Sequence, residues 1–106
     1  MMIRGDEMRD LHISVKDKVA TYLTRDGYIV WGNSDYQIEF TFDDDWKEAT
    51  NITARFIWKG KEENVSVGED NICEVPIING TDEVIVGVYA DGISSTPVII
   101  PCKRSI

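Results

Sequence analysis

The sequence predicts an all-β domain, a two-sheet, mostly antiparallel β-sandwich of immunoglobulin-like or jelly-roll-like topology. Three observations carry this expectation. Apolar and polar residues alternate along most of the chain, which is the period of a strand with one buried face. Glycine turn signals recur between the alternating runs, as at Asp26-Gly27, Gly32-Asn33, Asn79-Gly80 and Asp91-Gly92. No stretch of about ten residues carries a helical stripe. The count is about eight short strands, and each must bury its apolar face against a second layer.

Taken in order, "MMIRGDEMRD" is polar apart from scattered Met and Ile, so residues 1–10 are expected as a flexible arm and 11–106 as one domain. In "LHISV", Leu11, Ile13 and Val15 alternate with His12 and Ser14. The "KDK" at 16–18 then turns the chain into "VATYL", forming a hairpin. Tyr28–Trp31 is a short apolar run between two turns. "DYQIEFTF" has the clearest alternation of the first half and reads as an antiparallel strand, with Tyr36, Ile38, Phe40 and Phe42 facing one way. "DDDWKEATN" supports at most one helical turn near Asp44–Lys47, with Asp43 or Asp44 as its cap.

"ITARFIWKG" resumes the alternation with Ala54, Phe56 and Trp58, although the apolar Ile57 on the opposite face suggests that both faces are partly covered. "KGKEEN" at 59–64 reads as a hairpin connection into "VSV", with Gly60 at a position requiring positive φ. "ICEVPII" contains Pro76, whose missing amide donor places it at a sheet margin. "EVIVGVYA" at 83–90 is the central strand, its Gly87 leaving room for a neighbour, and "TPVIIPC" is the last strand.

Composition limits the function. With 42% hydrophobic and 28% charged residues the chain has enough apolar surface to fold as an ordinary domain. The net charge of −8, without a basic patch, argues against nucleic acid and against an anionic membrane surface as partners. The amino-terminal stretch lacks the apolar run of a secretory signal, so synthesis in the cytoplasm is expected. Cys73 and Cys102 are too few for a disulfide framework and read as buried free thiols.

Candidate chemistry is sparse. Asp43, Asp44 and Asp45 bring carboxylates together in sequence but lack the twelve-residue calcium loop with its central Gly and terminal Glu. Consecutive residues at a strand exit also diverge in direction. They read as a structural corner, with Phe42 and Trp46 packing around the acidic turn, and no metal or cofactor is expected. His12, the single histidine, has no nucleophile at a meaningful spacing. No catalytic residues are assigned and the chain does not read as an enzyme. "RGD" at 4–6 is a short recurrence, and the acceptor-like "NIT", "NVS" and "NGT" at 51, 64 and 79 read as turn and strand-end hydrogen bonding. The aromatics read mainly as packing. Trp31, followed by Gly32 and Asn33, is the candidate surface aromatic for a sugar platform.

The segments "GNSDYQIEFTFDDDW" (32–46), "TARFIW" (53–58), "VPII" (75–78), "VGVYADG" and "STPVIIPC" resemble, in that order, the amino-terminal attachment domain of tail-fibre and baseplate upper proteins of phages and prophages of Gram-positive bacteria. The resemblance covers most of the chain from Leu11 onward. It implies a β-sandwich that fastens a fibre or receptor-binding portion to the tail, with "FDDDW" as a recurring corner and "VGVYADG" as a core strand with its turn. Only "KRSI" follows the last strand, so a long receptor-binding portion is not expected. The expected function is that of a structural module of a tail or baseplate, located in the virion and working through protein–protein contacts and edge-strand pairing. Its expected partners are other tail or baseplate proteins, or further copies of itself. The alternative is a small carbohydrate-binding module.

Overall fold

The computed structural model describes residues 9–105. Ten strands follow one another as β1 (Arg9–Lys16), β2 (Val19–Tyr22), β3 (Ile29–Val30), β4 (Tyr36–Phe42), β5 (Thr53–Trp58), β6 (Lys61–Ser66), β7 (Ile72–Glu74), β8 (Glu83–Ala90), β9 (Ile93–Ser94) and β10 (Val98–Lys103). Among the described residues, one 3-10 turn, Asp44–Trp46, lies between β4 and β5. The first sheet has the order β2-β1-β4-β7 and the second β3-β10-β8-β5-β6, with β9 also pairing β8. The two sheets pack face to face, so the chain is a β-sandwich, mostly antiparallel as expected.

The core follows the alternation. Leu11, Ile13 and Val15 of β1 and Tyr36, Ile38 and Phe40 of β4 come from the first sheet. Ala54, Phe56 and Trp58 of β5, Val84, Val86 and Val88 of β8, and Val98, Ile100 and Cys102 of β10 come from the second. All are buried, because a period of two sends every other side chain of a strand to the same face.

Pairing departs from the expectation in four places. The first strand begins at Arg9 and Asp10 pairs with Gln37, so residues 9 and 10 of the expected arm belong to the sheet, and the rest of that stretch lies outside the described residues. β4, expected as antiparallel throughout, is antiparallel to β7 but runs parallel to β1, with Leu11 opposite Ile38 and Val15 opposite Phe42. Alternation is blind to direction, since a parallel neighbour buries the same face. In "KGKEEN" only Lys59 and Gly60 form the turn, both at positive φ (49° and 74°), and Lys61–Asn64 already belong to β6. Charged residues are affordable there because β6 is an edge strand. Pro76 falls after the short edge strand β7, which ends at Glu74.

The β1–β2 hairpin turns on Asp17 and Lys18, both at positive φ (53° and 64°), a two-residue turn made without glycine. Beside this hairpin, β9 and β10 are one strand broken by a bulge. Tyr89 is opposite Ser94 and Val86 opposite Val98, so three residues, Ser95–Pro97, span two on β8. The Ser95 hydroxyl replaces a backbone carbonyl by accepting from Val88 N–H at 3.1 Å, next to Pro97, which has no N–H of its own. Thr96 is turned out of the second sheet toward the first. Its N–H donates to Lys18 O at 2.9 Å and its Oγ1 accepts from Ala20 N–H at 3.1 Å. The bulge therefore bonds the outer edge of β2 to the opposite sheet and closes that side of the sandwich.

Candidate functional site

The strongest side-chain constellation among the described residues is the acidic corner after β4. It begins where Phe42 ends its strand beside Val15, and Asp43 N–H donates to Val15 O at 3.2 Å. Asp43 has the extended backbone of an N-cap (φ −87°, ψ −173°), and its Oδ1 accepts from Asp45 N–H at 3.2 Å. Its Oδ2 accepts from Asp17 N–H at 2.8 Å. One carboxylate thus caps the 3-10 turn and holds the strained Asp17-Lys18 turn in place. Lys18 in turn reaches Asp45, Nζ to Oδ2 at 3.3 Å.

Carboxylate oxygens of Asp17, Asp43 and Asp45 lie within 4.8 Å of one another. The expected divergence of the three consecutive acids is therefore only partly met. Asp43 and Asp45 converge, Asp44 does not join them, and the third member is Asp17 from the neighbouring hairpin. These are the residues that could hold a cation, but both oxygens of Asp43 already accept backbone hydrogen bonds and the Lys18 ammonium partly neutralises Asp45. As built, the trio is a corner held by its own donors.

The apolar half of the corner is the expected one. Trp46 is 3% exposed, its ring centroid 5.0 Å from that of Phe42, and Phe42 stacks on Phe40 at 5.6 Å. The indole N–H of Trp46 is buried and makes no hydrogen bond among the described residues. Asp44 lines a shallow cleft of about 410 Å³ with Trp46, Asn51 and Glu69.

The other candidates lie apart from this corner. Trp31 is half-buried against the core instead of presenting a free surface ring, and its Nε1–H donates to Thr81 O at 2.7 Å. Tyr36 is buried with its hydroxyl accepting from Val30 N–H at 3.1 Å. His12 lies exposed on β1, its Nδ1 3.5 Å from Glu39 Oε1 on β4. Cys73 and Cys102 are buried free thiols on different sheets. Burial, helped by Glu74, pushes the Cys73 thiol up to about 12, and burial with Asp82 and Glu83 pushes Cys102 up to about 11. Neither is an activated nucleophile. Of the acceptor-like asparagines, Asn51 sits in a turn at φ 57° and Asn64 lies within β6, bonded to Glu62 and Tyr89. "RGD" lies outside the described residues.

Sequence reasoning missed Asp17, which ties the β1–β2 turn to the acidic corner, and Thr96, which ties the second sheet's bulge to β2. The one available signal was at 16–18, where a two-residue hairpin turn without Gly or Asn implies an outside bond that holds it. No helix of the described residues is long and apolar enough to cross a membrane. No family model, curated protein or solved structure matches the chain.

Proposed function

We propose that the chain is a structural module of a phage or prophage tail or baseplate that works through contacts with other tail proteins and not through catalysis. The resemblance of its framework segments motivates the tail assignment. The observation that favours protein contact over the carbohydrate-binding alternative is the placement of the aromatic rings. A sugar platform requires two ring faces open side by side. Here Tyr28 lies under Lys103 Nζ at 4.2 Å, Tyr89 lies under the Arg55 guanidinium at 4.9 Å, and Trp31, Trp46 and Trp58 are packed against or within the core.

The manner of contact is revised from the expectation of edge pairing. The outer edge of β2 is bonded to Thr96, and β6 carries Lys61 and Glu63 opposite Trp58 and Phe56, so two charges point to the inner side of that edge. Inward charges on an edge strand oppose the addition of another strand. Contact through sheet faces and loop ends is therefore favoured over pairing at the β2 and β6 edges.

Immunogold electron microscopy of particles released by the encoding strain, with an antibody against the domain, tests the assignment. Label at tails or baseplates is expected, and label confined to free protein would refute it. Calorimetric titration with monosaccharides is expected to be silent, and saturable heat would return the sugar-binding reading.

A further inference from the structure

The outer face of the second sheet holds a feature that the tail reading does not use. Ile99 of β10 is opposite Ile85 of β8, and Ile85 is opposite Ile57 of β5. Three isoleucines therefore stand in one row across three strands on the side away from the core. Ile99 is 55% exposed, and Ile57 and Ile85 are partly buried beside it. Beside the row, over Gly87, is a hollow of about 250 Å³ lined by Arg55, Ile57, Ile85, Tyr89 and Pro97. The apolar Ile57 noted in the sequence is thus one member of a solvent-facing stripe.

Charge distinguishes this face from the rest of the surface. On a chain of net charge −8, the outward residues of β5, β6, β8 and β10 include two cations, Arg55 and Lys103, and two anions, Glu62 and Glu83. They balance. Arg55 Nε also pairs with Glu62 Oε2 at 3.2 Å, the guanidinium covers Tyr89, and Tyr89 donates to Asn64 Oδ1 at 3.2 Å. Arg55 and Glu62, the charges beside the row, satisfy each other, so covering that pair strands no partnerless charge.

We infer that this face binds a second copy of the chain in a two-fold, face-to-face dimer. Two copies of a chain this acidic repel each other, and the balanced face lets them approach with the least local repulsion, leaving only that of the net charge. A two-fold contact must also be self-complementary, with a protrusion and its receptacle on the same patch. The exposed Ile99 and the hollow over Gly87 provide both, and a two-fold axis midway between them seats each copy's Ile99 at the other's hollow. Packing of one sheet face on another is an established mode for such surfaces. The inference goes beyond the tail assignment, because a dimer of the free chain stands or falls whether or not the chain belongs to a virion.

Sedimentation equilibrium of the full chain tests it, with circular dichroism on each variant to confirm folding. A monomer–dimer equilibrium is expected over micromolar to millimolar protein. Dimerisation should tighten as salt is raised, since salt screens the repulsion between two acidic copies. Ile99→Asp, a change at an exposed position, should weaken dimerisation at least tenfold. Val19→Asp, at an equally exposed apolar position on the first sheet, should leave it unchanged. Gly87→Ala, whose new Cβ has ordinary contacts of 3.7 Å or more, should fold normally and weaken the dimer by partly filling the hollow. A chain that stays monomeric throughout, whatever else covers the face, would overturn the inference. So would a dimer indifferent to Ile99→Asp, or one that salt dissociates.

Discussion

Replacing Trp46 by alanine separates the two halves of the acidic corner. The indole is 3% exposed, so nearly its whole surface is withdrawn from water. Aromatic side chains bury about 150–250 Å², which at about 25 cal/mol per Å² corresponds to about 4–6 kcal/mol. One term opposes this. The indole N–H has no hydrogen-bond partner among the described residues, and such a buried donor costs about 1–3 kcal/mol, a cost that leaves with the ring. The net loss expected for Trp46→Ala is about 3 kcal/mol, at the lower end of large-to-small aromatic deletions. That is a large part of the roughly 5–15 kcal/mol of a domain this size. Trp46→Phe should stay within about 1 kcal/mol of the parent, because it keeps a ring against Phe42 and removes the orphan donor. Asp44→Ala, outside the carboxylate trio, should change stability by less than about 0.5 kcal/mol. Urea unfolding followed by circular dichroism reads all three, with the Ala midpoint falling by about 1–3 M. Trp46→Ala costing no more than Asp44→Ala would refute the assignment of the corner's stability to its apolar half.

Asp43→Ala should cost about 1–2 kcal/mol, more than an exposed acid, since both of its oxygens accept backbone N–H groups, and Asp43→Asn should cost less by keeping one acceptor; paired thermal melts compare them. Lys18→Gly should raise stability by about 0.5 kcal/mol, because relief of strain at φ 64° outweighs an exposed ion pair with Asp45, and an unchanged or lowered melting temperature would count against it. Millimolar calcium added after chelation should leave the melting temperature unchanged. A rise of several degrees that disappears in Asp45→Asn would identify the Asp17–Asp43–Asp45 trio as a cation site. The thiols set an alkaline limit. Their folded pKa values are raised above 9.0, so the neutral thiol is the form the fold favours, and the stabilisation is complete below pH 9. As pH rises from 9 toward 11–12 the unfolded chain loses these protons first and stability falls, a slope that Cys73→Ala should flatten in a pH series of melts.

The sequence by itself determined which side chains face the core. Alternation is local, and Tyr36, Ile38, Phe40, Ala54, Phe56, Trp58, Val84, Val86 and Val88 are all buried where the period of two puts them. It also determined the turns at Gly60 and Gly92, whose positive φ values of 74° and 83° suit glycine, and the corner of Phe42 and Trp46, four residues apart. Strand partners required the tertiary structure. β4 lies parallel to β1 because the chain crosses to the other sheet between them, which no local pattern records. Asp17 and Asp43 are 26 residues apart and Ala20 and Thr96 are 76 apart, so the bonds that hold the strained hairpin and seal the β2 edge arise only when separate turns meet. The same holds for the isoleucine row, in which each member is an ordinary outward residue of its own strand. Only the register between strands, set by hydrogen bonds across the sheet, brings Ile57, Ile85 and Ile99 into line.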